Sequence, residues 1–197
     1  TTSPHVAFHR YTFADAGIEP SNVLADFQSG LVWQKERLYT HVLDNEVEFE
    51  GDRVITGHTR RTEWVERTYY FAIEFDTPIL SAKKLDPQDP REKAPRYVLT
   101  FDMQGNDVLQ MKIAMSTTGI EGAKANLAAE VPGWDFNAVH REARKAWNSY
   151  LSRVEIEGTD DEKTNFYTSL YHLYIQPNNI ADVDGRYVGP NRQITQS

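Results

Sequence analysis

The apolar residues of this chain change their period once, near Met115, and that change limits the folds open to it. Before it, apolar residues alternate every second position in short runs; after it, they recur every three or four. A strand sends successive side chains to opposite faces and a helix does not. Residues 6–13, Val-Ala-Phe-His-Arg-Tyr-Thr-Phe, read as a strand. Residues 37–43 alternate Leu38, Thr40 and Val42, and Val47 and Phe49 alternate with Glu46, Glu48 and Glu50. Gly51-Asp52 turns that run into a strand at residues 53–56. Tyr69, Phe71, Ile73 and Phe75 share one face of the next, and residues 96–101 and 108–115 flank the turn Gln104-Gly105-Asn106-Asp107. Many short strands joined by hairpin turns predict an antiparallel sandwich. Residues 83–95 hold Pro87, Pro90 and Pro95 among seven charged side chains, which predicts an exposed loop, since proline cannot donate to a ladder.

Beyond Met115 the sequence reads as helices. A short one runs through residues 123–130 and is stopped by Pro132-Gly133. Asp135 is placed to cap the next, in which Phe136, Val139, Ala143, Ala146, Trp147, Tyr150 and Leu151 recur at helical spacing. Thr159 and Glu162 match a capping box opening a third helix that runs to about Gln176, before Pro177. Phe166, Leu170 and Leu173 make one stripe on it, and Tyr167, Tyr171 and Tyr174 a second beside it. A helix apolar over that much of its surface wants neighbours on more than one side. The expectation is that further chain, or self-association, covers it.

The 197 residues carry 21 Lys and Arg against 29 Asp and Glu, a net charge of −8, which argues against nucleic acid as a partner. No apolar run approaches the ~20 residues of a membrane span. Cysteine is absent, so disulfides and thiolate zinc sites are excluded. The chain does not begin with Met and opens almost directly into a strand, so the native N-terminus is expected upstream.

Two blocks carry a family resemblance. The first is residues 112–116 leading to Gly122-Ala123, Asn-Leu-Ala-Ala-Glu at 126–130 and Pro-Gly-Trp-Asp-Phe at 132–136. The second is Phe-Tyr-Thr-Ser-Leu-Tyr-His at 166–172, then Gln176-Pro177-Asn178 and Asp-Val-Asp-Gly-Arg-Tyr at 182–187. Together with residues 8–13, Trp64 and residues 70–75, they resemble family 92 glycoside hydrolases along essentially the whole chain. The resemblance implies a mainly β fold with C-terminal helices. Residues 1–115 would be an N-terminal antiparallel β-sandwich, incomplete at its start. Residues 116–158 would be linker helices, and 159–197 the beginning of an (α/α)6 catalytic barrel. It also implies an inverting, calcium-dependent exo-α-mannosidase that takes mannose from the non-reducing ends of N-glycans or mannans and is exported. The catalytic acid and base, and most calcium ligands, are expected beyond the end of this chain, which alone is expected to be inactive. The alternative is a non-catalytic carbohydrate-binding or structural sandwich.

Asp182, Asp184 and Arg186 are the candidate substrate-binding residues. They lie on a loop after a well-anchored helix, beside Gly185 and Gly189. A carboxylate can accept two vicinal sugar hydroxyls, and a guanidinium offers fixed donors; the competing reading is an exposed turn. The segment imitates part of an EF-hand, but with Gly185 in the sixth position the first and twelfth are Ile180 and Asn191, so the ligands are missing. His5 and His9 share a strand face but lie too far apart for one zinc, and are expected to face solvent. His172 is expected in a helix core. Trp147 fits helix burial, Trp134 is expected to wedge the linker against the sandwich, and Trp33 and Trp64 default to core or rim.

Overall fold

A computed structural model describes residues 1–14, 20–30, 38–62 and 65–197; Trp33, Trp64 and Arg37 lie outside them. Eight strands come first: β1 (Val6–Thr12), β2 (Ser21–Asp26), β3 (Val42–Glu50), β4 (Val54–Thr62), β5 (Glu66–Phe75), β6 (Ile79–Lys84), β7 (Arg96–Phe101) and β8 (Val108–Ser116). Three helices follow, α1 (Ile120–Glu130), α2 (Phe136–Leu151) and α3 (Asp160–Tyr174), and then a small hairpin, β9 (Arg186–Val188) and β10 (Ile194–Gln196). One sheet has the order β1-β8-β5-β4-β3 and a second β2-β7-β6, and every paired neighbour is antiparallel.

The period-two pattern explains how these sheets pack. On β8, Leu109, Met111 and Ile113 enter the core between the sheets, joined by Ile55, Phe71, Ile73 and Phe75 from the larger sheet and by Leu99 and Phe101 from β7. The alternate residues Lys112, Ala114 and Ser116 are buried on the opposite face. There Val6, Phe8, Ala114 and Val131 form a second core with Leu127, Trp134, Phe136 and Val139 of α1, the linker and α2. The five-stranded sheet is thus covered on both faces, and each large apolar side chain taken out of water contributes roughly 1.5–3 kcal/mol. Trp134 is the wedge its position suggests. It meets Phe8 edge-on at 5.9 Å and lies under the buried Lys112 ammonium at 3.8 Å.

Four local expectations are corrected. Residues 38–40 form a turn, not the start of a strand: the first rung of the β3–β4 ladder is Val42 opposite Arg61. His5 and His9 are half-buried instead of solvent-facing. His5 Nδ1 pairs with Glu130 at 2.5 Å at the end of α1, and His9 stacks on Tyr11. His172 is exposed, touching only the ring of Tyr171 among the described aromatic pairs. Of the loop expected over residues 83–95, Lys83 and Lys84 instead close strand β6; the rest is mostly exposed as expected, but its end is tied down, with Arg96 bidentate to Glu92 and Gln28 Oε1 accepting the amides of Lys93 and Ala94.

The helix caps follow the sequence. Asp135 accepts from the amide of Ala138, and Thr159 and Glu162 complete a capping box. Trp147 and Tyr150 of α2 meet Tyr171 and Tyr174 of α3 at 4.5 and 5.8 Å. No residue of either helix is buried, and Leu173 is 69% exposed while Phe166 and Leu170 are half-buried. The apolar stripes of α3 therefore lie open among the described residues.

Candidate functional site

Strands β5 and β8 run side by side only as far as Tyr70 opposite Ser116, where β8 ends and the chain turns through Thr117 and Thr118 into α1. Strand β5 extends beyond that point, paired with β4 through Glu66. Its side toward the departed β8 borders a cleft of about 890 Å3. Glu66, Arg67, Thr68 and Tyr70 line one wall, Thr117 and Thr118 the end, and Asn178, Asn179, Tyr187, Gly189 and Arg192 the facing wall. The cleft thus lies between the sandwich and the segment after α3.

Its lining mixes neutral polar, aromatic, aliphatic and cationic side chains, a set that can receive a polyhydroxylated ligand. Tyr70 and Tyr187, Asn178 and Asn179, and Thr68, Thr117 and Thr118 offer ring faces beside neutral donors and acceptors, and Val65, Ile180, Val188 and Ile194 add aliphatic surface. Arg67 and Arg192 add cations, and Glu66, the one acidic side chain on the cleft among the described residues, is held by Arg60 at 3.1 Å.

The facing wall is built from the loop the sequence marks as functional. Asp182 N donates to Arg186 O and Gly185 N to Asp182 O, both at 2.8 Å, so residues 182–186 close on themselves. Gly185 makes this possible with φ +83°, a conformation most side chains avoid. The hairpin then carries Tyr187 and Val188 to the cleft.

The three expected substrate residues take different places. Asp182 is 4% exposed, and its carboxylate points inward. Oδ2 accepts from Ser116 Oγ at 2.7 Å and Thr118 Oγ1 at 2.6 Å, and Oδ1 accepts from Asn126 Nδ2 at 2.8 Å. Asp184 is exposed and Arg186 half-buried at the hairpin base, and neither lines the cleft. The Asp184 carboxylate accepts the Arg186 amide at 3.0 Å and Nε at 2.6 Å, which holds it below the usual carboxylate range. Tyr70, Asn178, Asn179, Tyr187, Arg67 and Arg192 were not singled out by sequence reasoning as ligands. Their only signal was membership of polar turns or strand ends, and their convergence depends on where β8 stops.

No group of three or more His, Cys, Asp or Glu side chains among the described residues is placed to hold a metal ion. Asp182 has both oxygens engaged by neutral donors, and Asp184 is engaged by Arg186. The described residues of this chain therefore do not form the calcium site that the resemblance implies.

Two family models divide the chain. Residues 1–116 match the N-terminal domain of glycosyl hydrolase family 92, and residues 122–197 match its catalytic domain. No curated protein matches in sequence. Among solved structures, a family 92 α-mannosidase from Bacteroides thetaiotaomicron superposes with a TM-score of 0.84 at 21% identity over 100% of this chain. The same enzyme in complex with mannoimidazole gives the same score. A family 92 inverting mannosidase from the same species, strain VPI-5482, gives 0.80 at 24% identity over 98% of this chain. This chain spans 27% of the first and 26% of the last, about a quarter of each. The turn that ends β8 falls between the two matched segments, so the cleft lies where one family domain gives way to the other. The two domain matches together take in the strands, the three helices and the closing hairpin, and the chain belongs to glycosyl hydrolase family 92.

Proposed function

We propose that the protein containing this chain is an inverting exo-α-mannosidase that removes mannose from non-reducing ends of N-glycans or mannans. The observation that carries the reading is the match of both family 92 domains across this chain, with a cleft at their junction. The non-catalytic sandwich reading is disfavoured by the catalytic-domain match over residues 122–197. Fold alone does not fix chemistry, so support for mannose comes from the lining: neutral hydrogen-bonding groups beside tyrosine faces fit a sugar.

Inversion requires an acid and a base carboxyl about 6.5–9.5 Å apart, with water between the base and the sugar. Glu66 is the sole acidic side chain on the cleft among the described residues and is bound to Arg60, so we place acid, base and calcium ligands on the remainder of the polypeptide. That remainder would also cover α3. In this chain, Asp184 and Arg186 meet sugar hydroxyls at the outer base of the hairpin, while Asp182 serves the substrate wall from behind. Export to the periplasm, cell surface or medium goes with such a substrate.

The test is hydrolysis of an aryl α-mannoside and a mannan oligosaccharide by the purified full-length protein, followed by NMR of the first sugar released. β-Mannose as the first product and loss of turnover with a calcium chelator are expected. No release, or α-mannose first, overturns the reading.

A further inference from the structure

The carboxylate of Asp182 is buried with no counter-cation within ion-pair distance among the described residues. Desolvating such a group is costly unless its lone pairs are met. Here they are met from the sandwich side of the junction, by Ser116 and Thr118 of the β8–α1 turn and by Asn126 of α1, 56 to 66 residues earlier in the chain. Asn126 is fully buried and works at both ends. Its Nδ2 donates to Met115 O and to Asp182, and its Oδ1 accepts the amide of Val183. Gly122 leaves the space: a Cβ there would lie 2.5 Å from Ser116 Oγ, 2.6 Å from Asp182 Oδ2 and 2.7 Å from Thr118 Oγ1.

We infer that Asp182 is a positioning residue, docked in a socket of Ser116, Thr118 and Asn126 so that the sandwich domain sets the place of the cleft wall bearing Tyr187. The inference rests on the mannosidase reading above. The line of force is short. Thr118 both donates to Asp182 and lines the cleft. The two backbone bonds between Asp182 and residues 185 and 186 fix the start of β9, and Tyr187 is the next residue on the cleft. A fully satisfied buried polar network specifies one geometry, and a binding wall held in advance spares the substrate the cost of ordering it.

The experiment compares wild type, Asp182→Ala, Asp182→Asn and Ser116→Ala in the full-length protein, using mannoside kinetics and amide exchange over residues 183–188. Asparagine keeps the shape, and the Ser116 and Thr118 hydroxyls can turn to accept from its amide. Misplacing a wall by an ångström costs on the order of 100-fold in kcat/KM. We expect that loss in Asp182→Ala, about a tenth as large in Ser116→Ala, and faster exchange in both, with folding confirmed by circular dichroism at the assay temperature. Asp182→Asn should stay within a few-fold of wild type. Unchanged kcat/KM and exchange in folded Asp182→Ala or Ser116→Ala, with only the melting point lowered, would reduce the socket to a structural tie. Asp182→Asn as impaired as Asp182→Ala, with wild-type exchange, would make the carboxylate a direct substrate ligand and overturn the inference. A wild-type protein without mannosidase activity sinks the proposed function instead; exchange over residues 183–188 then decides the positioning role alone.

Discussion

Gly122 occupies a position inside α1 where helix propensity and packing make opposite demands, so Gly122→Ala separates them. Within a helix, alanine is favoured over glycine by about 0.8–1 kcal/mol. The added methyl would lie within 2.7 Å of three oxygens, all members of the network around Asp182. Relieving it means moving Asp182 and both hydroxyls away from the helix, at the expense of the bonds of 2.7 and 2.6 Å that hold the carboxylate. Hydrogen bonds to a charged group are worth roughly 1.5–3 kcal/mol each, so losing two and gaining the propensity leaves a net destabilisation of about 2–5 kcal/mol. With a urea m-value of roughly 2 kcal/mol/M, the unfolding midpoint of the sandwich should fall by about 1–2.5 M. Gly133→Ala is the control: nothing lies within 4 Å of its added methyl, and a change within about 1 kcal/mol is expected. The assay is urea unfolding followed by tryptophan fluorescence. A Gly122→Ala protein as stable as wild type, with the same m-value, would refute the packing argument and leave propensity in charge.

Three further outcomes follow from charged side chains with defined partners. In a double-mutant cycle of Lys112→Met with Trp134→Leu, the ammonium 3.8 Å from the indole centroid should show a coupling of about 1–2 kcal/mol; additive effects in urea melts would dismiss the contact. Arg96→Met strips the nearly inaccessible Glu92 of its bidentate partner, and a loss of about 3–5 kcal/mol is expected, together with faster proteolysis of segment 85–95. Burial pushes the Asp26 carboxyl up, but the Ser29 amide and hydroxyl, the Gln28 amide and the Arg96 guanidinium together bring it below its ordinary value. A lowered folded value stabilises above the ordinary carboxylate value of about 3.9 and is lost as pH falls through the folded one. The stability gap between wild type and Asp26→Asn should therefore be full well above the ordinary carboxylate value and shrink as pH falls below it; a constant gap would refute the assignment.

Periodicity and capping are local, and where they decide structure they could be read directly. The strands β1, β5, β7 and β8, β3 from Val42 onward, the cap at Asp135 and the box at Thr159 and Glu162 stand where the residues place them. β2 and β6 were not legible: Leu24 and Leu80 are more than half exposed, so their apolar pattern does not alternate with burial. The motif at residues 182–187 marked a closed turn, because the residue types that close a tight turn are distinctive. It did not show which way its carboxylates face. That was decided by Ser116, Thr118 and Asn126, far away in the chain, and by the absence of a side chain at Gly122. The cleft is likewise a tertiary product, formed because β5 continues past the end of β8 and the hairpin after α3 comes to lie opposite. Short-range energies are written in neighbouring residues; a site assembled from segments some sixty residues apart exists only once the chain has brought them together.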